Sequence, residues 1–304
     1  MRLRFHTLDV FTTTRFAGNP LAVVHDADGL DAARMQTIAR EFNLAETVFV
    51  MKPDNPAHSA KVRIFTPGTE LPFAGHPTVG TAALLADLKM PASDGERDAL
   101  IVLEEKIGVV RVGVRLKGAA NAFAEFDTPK LPELGGAMPP NDMLAGALGL
   151  IPNEIGFENH KPVIATAGVP FAFVPVASLA AIARAGVQPL YWSRTFSGGV
   201  PPSVYVYCRE TVHKSAHFHA RMFAPGSMGI PEDPATGSAA AAFAAVIRKF
   251  DSPRDGSYAA MIEQGYEMGR PSSIALTLEI ERGILHAVRI GGHAVRVSEG
   301  TIEI

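Results

Sequence analysis

The chain has 304 residues, 47% apolar and 19% charged, with a net charge of −3. That length predicts about two domains, each able to bury its own core, and the composition is that of a soluble globular protein. Lysine and arginine are scattered, which argues against a nucleic-acid partner; no stretch reaches the ~18 apolar residues of a membrane span; and the N-terminus turns polar before a signal-type core can form, so the expected location is cytoplasmic.

Residues 3–11 and 21–25 read as strands joined across Phe16-Ala-Gly-Asn-Pro20, whose Gly-Asn-Pro is a strong turn signal. Asp31 is placed to cap a helix over 32–42, with Met35, Ile38, Ala39 and Phe42 at helical spacing. Asn43-Leu-Ala-Glu-Thr-Val-Phe-Val50 then turns directly into a strand, with Glu46 at the junction. After a strand over 61–65, a loop ends at Gly75-His76-Pro77, where proline suits a first helical position. The helix that follows, to Leu88, has almost no polar face, so it should be buried on all sides, with strands over 100–104, 108–115 and 122–126 curled about it.

The segment 127–140 is rich in Pro and Gly and reads as an interdomain linker. Beyond it the pattern predicts helices over 141–148 and 179–184 and strands over 162–167, 171–176, 203–208 and 218–223. The single cysteine, Cys208, ends one of these strands; it excludes an intrachain disulfide and reads as a buried structural thiol. A second loop leads into another apolar helix from about Ser238 to Phe250, followed by strands over 273–280, 284–290, 294–297 and 301–304.

The two loops are versions of one another. Arg63, Phe65, Pro67 and Gly68 match Arg221, Phe223, Pro225 and Gly226 at one separation, and the glycine ahead of each helix, Gly75 or Gly237, follows with four more residues in the second copy. Two strand–loop–helix units predict two similar halves. If these halves pack about a pseudo-twofold axis, two helix N-termini face one cleft. Their backbone N–H groups and partial positive charge suit a small anion.

Four side chains near these features can carry chemistry. Glu46 is either a solvated carboxylate at a strand mouth or, if walled by apolar neighbours, an acid and base of raised pKa. His76, at a helix N-terminus where the dipole disfavours imidazolium, is a neutral ring able to exchange a proton near pH 7, or a simple cap. Asp233 sits in a loop beside Glu232, and Ser238 is placed both to cap the second helix and to meet a ligand. A Ser238–His76–Asp233 triad is disfavoured because the Gly-x-Ser-x-Gly elbow is missing. His213, His217 and His219 have metal-like spacing without a completing carboxylate or cysteine, and no glycine-rich cradle for NAD or ATP is present, so neither metal nor cofactor is expected.

Phe16-x-Gly-Asn-Pro20, Asn43-Leu-Ala-Glu-Thr-Val-Phe49, Phe65-Thr-Pro-x-x-Glu-Leu-Pro-Phe-Ala-Gly-His-Pro77, Arg221-Met-Phe-Ala-Pro-Gly226, Glu232-Asp-Pro-Ala-Thr-Gly-Ser-Ala239 and Gly269-Arg-Pro-Ser272 together resemble the PhzF family of phenazine-biosynthesis-like isomerases. The resemblance implies an α+β, diaminopimelate epimerase-like fold: two similar domains, each a curved sheet or barrel wrapped around a central apolar helix. The expected division is 1–127, joined by the C-terminal strand near 298–304, and 128–297. It further implies that Glu46 is the proton shuttle, with His76 and Asp233 beside it and Gly75, Gly237 and Ser238 holding the substrate, in a homodimer. The epimerase relatives carry two cysteines where this chain has Gly75 and Gly237, which argues against racemisation by two thiols. The function expected is cofactor-independent isomerisation of a small carboxylate-bearing substrate. An inactive anion-binding protein and an amino-acid epimerase are the alternatives.

Overall fold

A computed structural model of the chain describes residues 1–90, 95–117, 121–225 and 231–304. Gly226, the sequence match of Gly68, lies outside the described residues. The chain divides into two compact units. One comprises Met1–Pro129, Arg270–Ser272 and Gly291–Ile304, the other Lys130–Gly269 and Ser273–Ile290.

The first unit contains β1 (Arg2–Val10), β2 (Asn19–Val24), α1 (Ala32–Phe42), β3 (Glu46–Met51), β4 (Ala60–Phe65), β5 (Glu70–Leu71), α2 (Gly75–Lys89), β6 (Glu96–Glu105), β7 (Gly108–Lys117) and β8 (Asn121–Asp127). The second contains β9 (Glu133–Gly135), α3 (Asn141–Leu148), β10 (Val163–Thr166), β11 (Pro170–Pro175), α4 (Leu179–Arg184), α5 (Pro189–Thr195), β12 (Val204–Cys208), β13 (Phe218–Phe223), β14 (Glu232–Asp233), α6 (Gly237–Phe250), β15 (Gly256–Gln264) and most of β16 (Ser272–Glu281). The last strand, β17 (Ile284–Glu303), begins in the second unit and ends in the first.

In the first unit β1 runs antiparallel to β2 and to β17, β2 is parallel to β3, β3 antiparallel to β4, and β4 parallel to β6. The antiparallel β6–β7–β8 run and the β8–β17 pairing close an eight-stranded barrel, which leaves the main sheet without an edge. Inside it every residue of α2 from Gly75 to Ala86 is buried, as a helix without a polar face requires. Gly80 sets the approach: a Cβ there would come within 2.6 Å of the Leu21 and Val10 side chains. α1 covers the outside, capped by Asp31, which accepts from Arg34 N at 2.8 Å, and it packs Met35, Ile38 and Ala39 on Val24, Phe49 and Phe65.

The second unit repeats the strand pattern. β11 is parallel to β12, β12 antiparallel to β13, β13 antiparallel to β14 and parallel to β15. Its central helix, α6, is buried from Ala239 to Ile247, and Phe243 is ringed by Phe173, Tyr205, Tyr207 and Phe218 with centroids 4.7–5.9 Å away. Trp192 and Phe196 of the α5 region fill a second cluster against Leu144, Leu148 and Phe223.

The boundary between the units falls inside the segment 127–140, after Pro129, but the segment is not linker throughout, because Glu133–Gly135 pairs antiparallel with β10. The three strands expected after residue 283 are one continuous strand, whose glycines fit close aromatic neighbours instead of breaking it. At Gly292 a Cβ would fall 2.3 Å from the Phe11 ring. α5 and β15 were not foreseen: α5 is only seven residues with Pro189 at its start, and Gly256-Ser-Tyr-Ala-Ala mixes small residues without clear alternation.

Two buried histidines face each other in the barrel wall, His6 Nδ1 being 2.9 Å from His25 Nε2. Burial, with His6 and Arg4 adding to it, pulls His25 down to about 4; burial also lowers His6, against the nearby Glu299 carboxylate. Both pKa values lie below the unfolded value of 6.5. The stabilising contribution of each ring is therefore complete above that value and is lost as pH falls below it; for His25 the loss runs down to about 4, at no more than about 1.4 kcal/mol per pH unit. Urea unfolding at about pH 7 and about pH 4.5 should show this loss, and His25→Asn should make it shallower.

Candidate active site

Glu46 opens β3, in parallel register with Leu21 of β2, and both strands belong to the first unit. The loop from β4 to α2 returns the chain to this point. Thr69 turns back on Thr66, and Arg63 grips Glu70 with two bonds of 2.7 and 2.8 Å, while Lys106 donates to the same carboxylate. The loop delivers His76 to the start of α2 with its Nε2 3.1 Å from Glu46 Oε2, the two side chains 5% and 7% exposed.

Burial pushes the His76 pKa down to about 3, only partly opposed by a hydrogen bond to the Pro20 carbonyl. The ring is neutral, as the sequence predicts, but the dominant cause is desolvation, and a group at about 3 does not carry a proton at neutral pH. Because Nε2 faces Glu46, the N–H given to Pro20 is on Nδ1. The nitrogen facing Glu46 is then a lone pair, and a contact of 3.1 Å is favourable when the carboxyl group supplies the proton.

Two residues further on, Thr78 Oγ1 lies 2.8 Å from the Ala74 carbonyl and 2.7 Å from Glu105 Oε1. A carbonyl only accepts, so the hydroxyl donates to Ala74 and the Glu105 carboxyl donates to the hydroxyl. Burial raises Glu105 to about 8, which keeps that acid protonated at neutral pH. The sequence did not single it out, because Glu104-Glu105 reads as a solvated pair. Glu104 is not solvated either, its side chain being 13% exposed: it accepts from Asn55 N and Asp54 N and contacts His58, and these hydrogen bonds lower its pKa to about 2.

In the second unit Asp233 ends β14 and is buried. Its Oδ2 accepts from Thr236 Oγ1 at 2.6 Å, and its carbonyl accepts from Gln264 Nε2 at 2.7 Å. Gln264 Oε1 accepts from Thr236 N, so this glutamine, unmarked in the sequence, fixes the turn ahead of α6. Gly237 is the first residue of α6 and buried; the half-buried Ser238 follows it, and the cap position belongs to Thr236 instead of Ser238. Glu232 is not a loose loop carboxylate: Arg221 binds it through two bonds of 2.8 and 2.9 Å, the same fork that joins Arg63 to Glu70.

The three histidines with metal-like spacing are otherwise engaged. His219 lies between Glu263 and Glu267 at 2.8 and 2.9 Å; their hydrogen bonds and charge outweigh burial and raise it to about 9. His217 Nδ1 accepts from Met261 N, and His213 lies against Tyr266. Among the described residues, the one cluster with metal-ligand spacing is Glu158, His160 and Asp251, and the Arg209 guanidinium already contacts all three. Cys208 is buried, and its thiol is pushed up to about 12. No helix among the described residues is long and apolar enough to cross a membrane.

Comparison with known proteins gives the chain its relatives. The family model described as phenazine biosynthesis-like protein, PhzC-PhzF, matches residues 8–300. An uncharacterized isomerase of Mesorhizobium japonicum is 54% identical over 97% of each chain. Trans-2,3-dihydro-3-hydroxyanthranilate isomerase of Pseudomonas aeruginosa is 33% identical over 98% of each. A solved PhzF-family phenazine biosynthesis protein of Bacillus anthracis matches over the full length of both chains, with a TM-score of 0.89 and 26% identity. A probable proline racemase of Agrobacterium radiobacter shares the fold, with a TM-score of 0.61 at 13% identity, covering 99% of this chain and 93% of that one. The architecture is thus α+β and diaminopimelate epimerase-like, and the chain belongs to the PhzF family of phenazine biosynthesis-like isomerases.

Proposed function

We propose that the protein isomerises a small, cyclic, carboxylate-bearing amino acid by moving a proton between two of its carbons, with Glu46 as the general acid and base and without a cofactor. The observation that carries this reading is the buried Glu46–His76 contact of 3.1 Å at the start of α2. A carboxyl group facing a fixed neutral nitrogen has a defined orientation in its protonated form and can take a proton back when ionised.

In this reading His76 orients Glu46, and backbone N–H groups near Gly75 hold substrate charge. In the second unit Asp233 has the positioning role, while Gly237 and Ser238 bind the substrate carboxylate. A cytoplasmic homodimer is expected on the family resemblance. The substrate class follows from the name of the Pseudomonas aeruginosa relative, which shares one residue in three along nearly the whole chain.

The test is incubation with trans-2,3-dihydro-3-hydroxyanthranilate in deuterium oxide, followed by proton NMR. Conversion, with deuterium entering the product at the carbon that gains the proton, is expected. Substrate left unchanged would remove this substrate class.

A further inference from the structure

His76 is held toward Glu46 by a hydrogen bond to the Pro20 carbonyl, and Pro20, the second residue of β2, follows an unusual turn by two residues. Between β1 and β2 the chain passes Phe16 at φ 68° and Gly18 at φ 66°. Phe16 has a Cβ and is 73% exposed, so neither its own conformational preference nor burial of its ring holds it there. Gly18 is obligatory: a Cβ would fall 2.3 Å from the Val10 carbonyl.

What holds the turn is Arg270, from the short Arg270–Ser272 segment that belongs to the first unit. Its Nε donates to the Gly18 carbonyl at 2.8 Å, and one terminal nitrogen donates to the Ala17 carbonyl at 2.8 Å and to Asp9 Oδ1. Asp9 Oδ2 in turn accepts from Phe16 N at 2.6 Å, and Gly18 N donates to the Pro271 carbonyl at 3.1 Å. Asp9 also stands directly opposite Pro20 in the β1–β2 ladder, and Leu21, the next residue, is in register with Glu46.

We infer that Arg270 is a positioning residue for the proton-transfer pair: by clamping residues 16–18 it fixes the Pro20 carbonyl, which holds the His76 proton on Nδ1 and leaves Nε2 as the acceptor that faces Glu46. This rests on the role given to Glu46 and His76 in the proposed function. The reasoning is one of geometry. A carbonyl selects a tautomer only while it stays in line with one ring nitrogen, and a turn with two left-handed residues keeps its carbonyls in place only if they are tied down. A guanidinium is suited to that task because it presents several donors in a rigid plane, here meeting two carbonyls and a carboxylate together. Were the clamp released, the Pro20 carbonyl would move and the ring could carry its proton on Nε2. Two hydrogen-bond acceptors would no longer flank the ring in the same order, and Glu46 would face a donor that favours its ionised form.

The experiment compares wild type with Arg270→Gln by nitrogen-15 NMR of histidine-labelled protein, using His76→Phe to identify the His76 signals, alongside steady-state kinetics. Wild type should show His76 as a neutral ring protonated on Nδ1. Arg270→Gln should shift that signal toward the Nε2-protonated or a mixed form and lower kcat by roughly 10- to 100-fold, a fraction of a full acid–base contribution, with KM changed less than about threefold. If Arg270→Gln does not fold, Arg270→Lys gives the same two readouts, because it keeps a charge near Asp9 but loses the fork onto two carbonyls. An unchanged Nδ1-protonated ring in a folded Arg270 variant would overturn the inference. The NMR readout does not depend on turnover, so a tautomer shift with no loss of activity would leave the clamp standing and count instead against the catalytic role of the Glu46–His76 pair.

Discussion

Glu46→Gln is expected to lower kcat for the isomerisation on the order of 10³-fold while the thermal midpoint moves by no more than about 2 °C. Gln has the shape of Glu, and its amide can face His76 Nε2 across the same 3.1 Å with an N–H toward the ring, so the buried contact and the packing of the barrel are kept. What the amide cannot do is accept a proton from carbon and return it. The loss should therefore fall on kcat, with substrate affinity nearly unchanged, since the helix-start N–H groups that are proposed to hold charge are untouched. Glu46→Asp gives the complementary result. It keeps the chemistry but withdraws the carboxyl by one methylene, away from both His76 and the substrate, and should retain partial activity. Full turnover by Glu46→Gln would remove Glu46 from the mechanism.

The duplicated loops were legible because their residues are tied to one another. Arg63 and Arg221 were visible as a repeated pattern, and the structure supplies the reason: each forks onto a glutamate, Glu70 or Glu232, and each guanidinium lies over the phenylalanine two residues on, at 5.2 and 4.7 Å from the ring centre. Both glutamates precede the helix glycine by the same interval, so the fork could have been read from the sequence, but a carboxylate in a Pro- and Gly-rich loop gives no sign of its partner. The apolar, faceless character of α2 and α6 was likewise enough to predict their burial.

What escaped the sequence are effects that depend on distance across the fold. The single strand β17 passes through glycines that look like breaks, because pairing with β1 and close contact with Phe5 and Phe11 outweigh their weak strand preference. The neutral state of His76 is legible from its place at a helix start, but complete desolvation, which the sequence does not display, is its main cause. Arg270 was part of a recognised motif whose partner, the turn after β1, lies some 250 positions earlier, and no local pattern links them.

Glu105→Gln is expected to stabilise the protein by up to roughly 3 kcal/mol at about pH 7, measured as a shift in urea midpoint. The sign follows from the direction of the shift. Burial raises the folded-state pKa to about 8 from an ordinary 4.5, so between those values the folded chain holds a proton that the unfolded chain releases. Stability therefore falls as pH rises through this window, by about 1.4 kcal/mol per unit, and is fully present only below 4.5. Gln removes the titration while its amide still donates to Thr78 Oγ1, leaving the hydroxyl free to donate to Ala74. The variant and the wild type should accordingly be equal in stability near pH 4.5 and diverge steadily up to about pH 8. A constant difference at all pH values would mean that Glu105 contributes by shape alone. The same ionisation bears on function. Above about 8 the wild type gains a negative charge beneath the first turn of α2, beside the N–H groups proposed to hold an anionic substrate, so KM should rise there in the wild type and not in Glu105→Gln.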